Sequence, residues 1–409
     1  MTLLPERRAH FQSDGAISGR ESRSKHRGGG SLARFALEKA ADPSQLSCGQ
    51  AYRKVTLIIQ SFVSDELPQT PHVRLGLYQG YGTAGNMQAV QANLDTLKAV
   101  AERAVGHGVH LLSFPELYLS GYDLTDAACA HRLAEEIRQR GVMDAVAASA
   151  RSNGLAIICP YPEAADVAGE RRYYDSIAVY GSDGELLKNY RKTHLWGGDE
   201  RNNWSFGHVF AEEGEAYSVF EVNGLRVGVL NCYEAEFPEL CRILALKGAQ
   251  LVVIPTAADE WTLLRTGELT KTPYPDVQFL IRANAYQNNL FCAYSNRRGT
   301  ETLNGETVGG YLGNSCLADP HGNFLIPVIP LPPQRDDQPG SGWNDQMLLI
   351  ADCVPAFYGP THPETKIGDS AAATQYLNDR RWDLYGTLTS RERIDQATGE
   401  AEPYPQQPE

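Results

Sequence analysis

Three residues of this chain have side chains suited to nucleophilic catalysis, and each terminates a stretch that reads as a strand. Glu116 follows Leu111-Leu-Ser-Phe-Pro115, Lys192 follows Lys188-Asn-Tyr-Arg191, and Cys232 follows Val227-Gly-Val-Leu-Asn231. A thiol needs a base to become a nucleophile, and an enclosed carboxylate can act as one. An ammonium beside them favours thiolate and stabilises the oxyanion of a tetrahedral intermediate. Taken singly, each residue has a plainer reading: a buried small hydrophobe for the cysteine, solvated surface charges for the other two. The combination is what points to chemistry. Cys232 also stands where a strand gives way to the carboxylate-rich stretch Tyr233-Glu-Ala-Glu-Phe-Pro-Glu239, which reads as a helix start. A thiol at a helix N-terminus is expected to have a lowered pKa.

The elements that must position these groups alternate. A strand over 73–78, a helix over 87–105 and a strand over 110–114 are followed by a helix over 130–153 and a strand over 155–159. Strands over 175–180 and 186–190 then flank Ser182-Asp-Gly184, and strands over 217–222 and 225–230 flank Asn223-Gly224. Asp-Gly and Asn-Gly between apolar runs signal hairpins. A helix over 238–247, a strand over 251–254, a helix over 277–287 and a strand over 290–295 complete the pattern. The order predicts an α/β protein, with sheets covered by helices and functional groups gathered where strands end.

The segments Phe114-Pro-Glu-Leu-Tyr-Leu-Ser-Gly-Tyr122, Tyr190-Arg-Lys-Thr-His-Leu-Trp-Gly-Gly-Asp-Glu200 and Leu230-Asn-Cys-Tyr-Glu-Ala-Glu-Phe-Pro-Glu239 resemble the three signature segments of the nitrilase superfamily, the carbon–nitrogen hydrolases. The resemblance begins near Val73 and takes in 252–256, 281–289, 293–297, 313–322 and 376–385. It implies a four-layer αββα sandwich, commonly paired into a homodimer or larger homo-oligomer through a helical face. It also implies roles: Glu116 as general base, Lys192 as the oxyanion-stabilising cation and Cys232 as nucleophile, with no metal and no organic cofactor. Glu200, eight residues beyond Lys192, matches a second family glutamate that positions substrate or assists proton transfer, although Asp199 beside it competes for that identity. The backbone N–H of Tyr233 is the implied partner of Lys192 in the oxyanion hole.

The substrate is a small molecule, and the same set of residues serves an amide or a nitrile. Pro273-Tyr-Pro-Asp-Val277 through Ala293-Tyr-Ser-Asn-Arg297 resembles the branch acting on small aliphatic or amino-acid amides, with Asn284, Gln287 and Asn288 departing from its usual acidic-polar pair. Glu236 would repel a substrate carboxylate; equally, it is a favourable charge in the first turn of a helix. Tyr122 and Trp261 read either as pocket walls or as ordinary core. A catalytically silent binding protein on the same fold is the rival of a different class.

Composition narrows the alternatives. A chain of 409 residues, 42% hydrophobic, can fill a substantial core, and a net charge of −13 argues against general nucleic-acid binding. Eight cysteines without CxxC or Cys/His zinc spacing read as reduced thiols in the cytoplasm. No apolar run approaches the ~20 residues of a membrane span. Residues 1–70, with Gly28-Gly-Gly30 and scattered Arg and Ser, read as a largely disordered extension; 71–388 read as the hydrolase domain and 389–409 as a tail.

Overall fold

The computed structural model describes residues 57–64, 66–124, 126–263, 269–271, 278–328, 346–359, 362–367, 370–374 and 376–404. Two mixed sheets form its centre. The first contains β1 (Leu57–Phe62), β2 (Val73–Gln79), β3 (Leu111–Ser113), β4 (Ala156–Val167), β5 (Glu170–Tyr180) and β6 (Leu186–Arg191). The second begins with β7 (Phe220–Val222), β8 (Leu225–Val229) and β9 (Leu251–Thr256). A smaller sheet starts with β10 (Asp259–Leu263) and β11 (Leu269–Lys271); the chain then returns to the second sheet with β12 (Phe291–Asn296). β13 (Arg298–Leu303) and β14 (Glu306–Leu312) complete the small sheet, β15 (Cys316–Ala318) and β16 (Phe324–Ile326) the second, and β17 (Gln346–Cys353) the first. The strand orders are β1-β17-β2-β3-β4-β5-β6, β16-β15-β12-β9-β8-β7 and β11-β10-β14-β13.

Period-two alternation within the strands separates the layers. On β9, Leu251 and Val253 point into the space between the two main sheets, where they meet Leu75 and Leu77 of β2, Val227 of β8 and Leu349 of β17. Val252 and Ile254, one residue out of phase, pack on helices α5 (Pro238–Leu246) and α6 (Gln278–Asn288) through Leu244, Ile281 and Ala285. On the far side, Leu348 and Ile350 of β17 and Leu112 of β3 pack on α1 (Met87–Val105), α2 (Ala127–Gln139) and α3 (Val142–Asn153). The central strands β3, β9 and β12 are buried along their whole length, which is why strands of this kind read as nearly unbroken apolar runs. Helix, sheet, sheet, helix is the four-layer sandwich expected from the sequence.

Three sequence expectations are corrected. The helix expected over 130–153 is two helices, because Gly141 adopts a left-handed φ of 62° between them. The apolar run Leu57–Phe62, counted in sequence with the N-terminal extension, is β1, paired in parallel with β17. The helix expected to start at Cys232 is a short 3-10 turn, Cys232–Glu236, and α5 begins only at Pro238. The Asn223-Gly224 hairpin is as expected, with both residues at positive φ, 47° and 79°.

A bidentate ion pair fastens the β1 side of the first sheet. Asp352 on β17 accepts Arg74 Nε at 2.7 Å and Nη2 at 3.1 Å, and the Ser64 N–H beyond β1 at 3.0 Å. Asp352 is buried and Arg74 partly so, and removing the acid leaves the Arg74 charge and the Ser64 N–H without their acceptor. Asp352→Ala is expected to lower the unfolding free energy by about 3 kcal/mol. The check is the urea midpoint at constant m-value; a loss below ~1 kcal/mol would mean that the pair contributes no more than a surface ion pair.

Candidate active site

Five strand ends converge. β3 runs out toward Glu116, β6 delivers Lys192, β8 delivers Cys232, β9 leads to Ala257 and β12 to Arg297. Lys192 and Glu116 are fully buried, and Lys192 Nζ donates to Glu116 Oε1 at 2.6 Å and to Glu200 Oε1 at 2.8 Å. Burial pushes the ammonium toward neutrality, but Glu116, Glu200 and the other nearby acids more than reverse this and hold its pKa well above the usual lysine value. Lys192 therefore stays charged.

Glu200 sits in α4 (Gly197–Asn203). Its Oε1 also accepts the Tyr122 hydroxyl at 2.7 Å, and its Oε2 accepts the Trp196 N–H at 2.7 Å. Asp199 is exposed, so the ambiguity left by the sequence is resolved geometrically: Glu200 is the acid that faces Lys192. Burial pushes the Glu200 carboxyl up, and Lys192 partly offsets this.

Cys232 opens the 3-10 turn with φ of 51°, a left-handed conformation rare for a residue with a side chain. It retains partial solvent access, whereas the other described cysteines, Cys129, Cys159, Cys241, Cys292, Cys316 and Cys353, are buried. The expected lowering of its pKa does not occur. Burial pushes the thiol well above the ordinary cysteine value, Glu116 pushes in the same direction, and Lys192 only partly opposes them. With no α-helix starting at Cys232, the dipole that would have favoured thiolate is missing. The Ala257 N–H donates to Glu116 Oε2 at 2.9 Å and also lies within reach of the Cys232 sulfur, so one amide ties base and thiol together.

Other expected positions scatter. Tyr233 follows Cys232 in the turn, with its ring edge-on to Phe237 at 5.0 Å between centroids. Glu236 is exposed at the end of that turn. Trp261 belongs to β10, and its side chain lies outside the described residues.

Several buried groups that the sequence did not single out hold the site. Glu234 accepts the N–H groups of Asn231 at 2.8 Å, Thr193 at 2.8 Å and His194 at 3.2 Å, together with the hydroxyls of Thr193 at 2.6 Å and Tyr190 at 2.7 Å. It thereby clamps the Lys192 loop of one sheet to the Cys232 turn of the other. Burial pushes its carboxyl up, but the His194 side chain, the Thr193 and Tyr190 hydroxyls and the Asn231 N–H together outweigh burial and leave its pKa below the usual glutamate value. Arg297, fully buried, donates through Nη2 to the carbonyls of Glu116 at 2.7 Å and Leu117 at 2.8 Å, the latter residue at a left-handed φ of 45°. Its partner Glu301 accepts the Tyr122 and Asp123 N–H groups at 2.9 Å. The only sequence signal for these residues was their place next to the motifs: Glu234 two residues after Cys232, Arg297 at the end of the Tyr-Ser-Asn-Arg run.

The sequence family described as "Carbon-nitrogen hydrolase" matches residues 74–334. The "Hydrolase in pqqF 5'region" of Pseudomonas protegens is 33% identical over 303 residues, covering 74% of this chain and 88% of that protein. An (R)-stereoselective amidase of Pseudomonas sp is 31% identical over 232 residues, 56% of this chain and 72% of its own. Among solved structures, an amidase variant from Nesterenkonia sp. AN1 superposes with a TM-score of 0.57 at 26% identity, covering 79% of this chain and 99% of that one. That structure shows covalent addition of the acetamide moiety of fluoroacetamide at the active-site cysteine. Among the described residues, no helix is long and apolar enough to cross a membrane.

Two outcomes follow from the electrostatics. Because the Cys232 thiol is held neutral, its alkylation by iodoacetamide should keep rising with pH beyond the ordinary thiol range; a plateau near neutral pH, read by mass spectrometry of the Cys232 peptide, would show a pre-formed thiolate instead. Glu234 has a depressed folded-state pKa, so its contribution is present above the unfolded glutamate value of about 4.3 and is lost as pH falls through the folded value. Glu234→Gln should therefore be less stable than the parent at pH 7 by roughly 2 kcal/mol, with the difference shrinking below about pH 4. Chemical denaturation at the two pH values measures it, and a pH-independent difference would contradict the assignment.

Proposed function

Because the chain belongs to the carbon–nitrogen hydrolase family, we propose that it hydrolyses a small carboxamide to the acid and ammonia through a thioester on Cys232. The observation that carries this reading is the buried contact of Lys192 with Glu116 and Glu200, tied to the half-buried Cys232 by the Ala257 N–H. The amide preference over a nitrile is supported by the relatives named as amidases and by the fluoroacetamide adduct on the Nesterenkonia cysteine.

Glu116 takes the thiol proton as sulfur attacks the amide carbon and the carbonyl electron pair moves onto oxygen. A neutral resting thiol fits this role, since proton transfer then accompanies attack. Lys192 and the Tyr233 N–H stabilise the oxyanion. On collapse the C–N bond breaks, the proton held by Glu116 goes to nitrogen, and ammonia leaves a thioester. Glu116 next accepts a proton from water as it attacks the thioester; C–S cleavage returns the proton to sulfur and releases the acid. Glu200, held by Tyr122 and Trp196, keeps Lys192 aimed and accepts an N–H of the entering amide.

Ammonia release from a panel of small amides and nitriles tests the proposal. Amides should be turned over, Cys232→Ala should abolish release, and Glu116→Gln should lower kcat by roughly 10²–10⁴-fold while allowing the acyl-enzyme to be seen by intact mass. Turnover of nitriles without amides would replace amidase by nitrilase. Absence of turnover throughout, with the parent and Cys232→Ala indistinguishable, would support the binding-protein alternative.

A further inference from the structure

Resting on that reading of the site, we infer that Asp175 is a positioning residue that carries a proton at neutral pH and donates it as a hydrogen bond to Glu116, keeping this carboxylate ionised and aimed at the thiol. Asp175 lies on β5, 1% exposed, and its backbone carbonyl accepts the Lys192 N–H at 2.9 Å, so its placement beside the lysine is fixed by the sheet edge. One carboxyl oxygen from each of Asp175, Glu116 and Glu200 lies within 4.8 Å of the other two. One ammonium faces these three acids: Lys192 Nζ is 2.6 Å from Glu116, 2.8 Å from Glu200 and 3.7 Å from Asp175. Three ionised carboxylates around a single cation would leave two uncompensated negative charges in a site shielded from water. Acids this close do not all ionise, so one of them holds a proton.

The hydrogen bonds show which. Glu116 receives Lys192 Nζ and the Ala257 N–H, and Glu200 receives Lys192 Nζ, the Tyr122 hydroxyl and the Trp196 N–H, all favouring the ionised forms. Neither oxygen of Asp175 receives any N–H or O–H among the described residues. A buried carboxylate without donors is costly, whereas a buried carboxylic acid needs only an acceptor, and the acceptor at hand is Glu116, an oxygen of which lies within 4.8 Å of one of its own. The groups facing Asp175 agree in direction: burial, Glu116 and Glu200 raise its pKa, and Lys192 opposes them without prevailing. As pH rises through that raised value, Asp175 ionises, adds a negative charge beside Glu116 and Cys232, and withdraws its hydrogen bond. Thiolate and oxyanion both become harder to form, and turnover falls.

Asp175→Asn keeps a neutral donor of the same shape but cannot ionise. Infrared difference spectra of parent minus Asp175→Asn at pH 7 should contain a carboxylic-acid C=O band that disappears as pH is raised, a readout that needs no substrate. In the pH–kcat profile with an amide identified by ammonia release, the alkaline limb should move upward by about one unit or more in Asp175→Asn. Asp175→Ala, which has no donor, should have a lower kcat than Asp175→Asn. An infrared spectrum without the acid band at pH 7, or an alkaline limb that coincides in parent and Asp175→Asn, would overturn the inference. Since the band is read without turnover, its absence in an active hydrolase rejects the role of Asp175 alone, and its presence in an inactive chain rejects only the amidase reading.

Discussion

A lysine with no solvent access can stay charged only if the protein supplies what water would have supplied. At Lys192 that supply comes from carboxyl oxygens of two residues in hydrogen-bond contact, with a third farther away. The ammonium and its acids are mutually dependent: each is expensive to bury without the other. Their burial forces the rest of the arrangement, because the acids are far apart in the chain and only a rigid framework brings them within ångströms. Glu116, Asp175 and Glu200 come from a loop after β3, the middle of β5 and the short helix α4, all on the side of the first sheet.

The thiol arrives from the other sheet, and this explains the second tier of buried charge. Two sheets packed through aliphatic side chains can slide, since such contacts are non-directional. Glu234 and Arg297 supply directional bonds at the meeting line. Glu234 joins the loop after β6 to the turn after β8, while Arg297, at the end of β12, grips the carbonyls of Glu116 and Leu117. The left-handed backbones of Leu117 and Cys232 lie next to these clamps, where surrounding hydrogen bonds can hold conformations that a free loop would leave. The neutral resting thiol belongs to the same logic. A site with more acid than base raises a thiol's pKa, which suits a carboxylate that removes the proton during attack.

The amino-acid sequence by itself predicted the alternation of strands and helices between 73 and 295 and the hairpins at Asn223-Gly224 and after Gly181, and it singled out Glu116, Lys192 and Cys232 at strand ends; β1, β10, β11, β13 to β17 and the break at Gly141 came only with the fold. Apolar periodicity and strand-end position are local properties, and three ordered motifs leave little freedom in assigning them. Glu200 was legible by its spacing from Lys192, though only its burial separates it from Asp199. What the tertiary structure alone decided is what distant residues do to one another. Asp175 reads as an ordinary strand aspartate until β5 and β6 place it against Lys192, and Glu234 and Arg297 read as helix and strand charges until their partners, 41 and 181 residues away, come into contact. The thiol's pKa was misjudged for the same reason. A local rule about helix termini was applied where a 3-10 turn forms, and the long-range charges of Glu116 and Glu200, together with burial, outweigh any local dipole. Electrostatic energies depend on through-space distance and solvent exclusion, and neither is written in sequence separation.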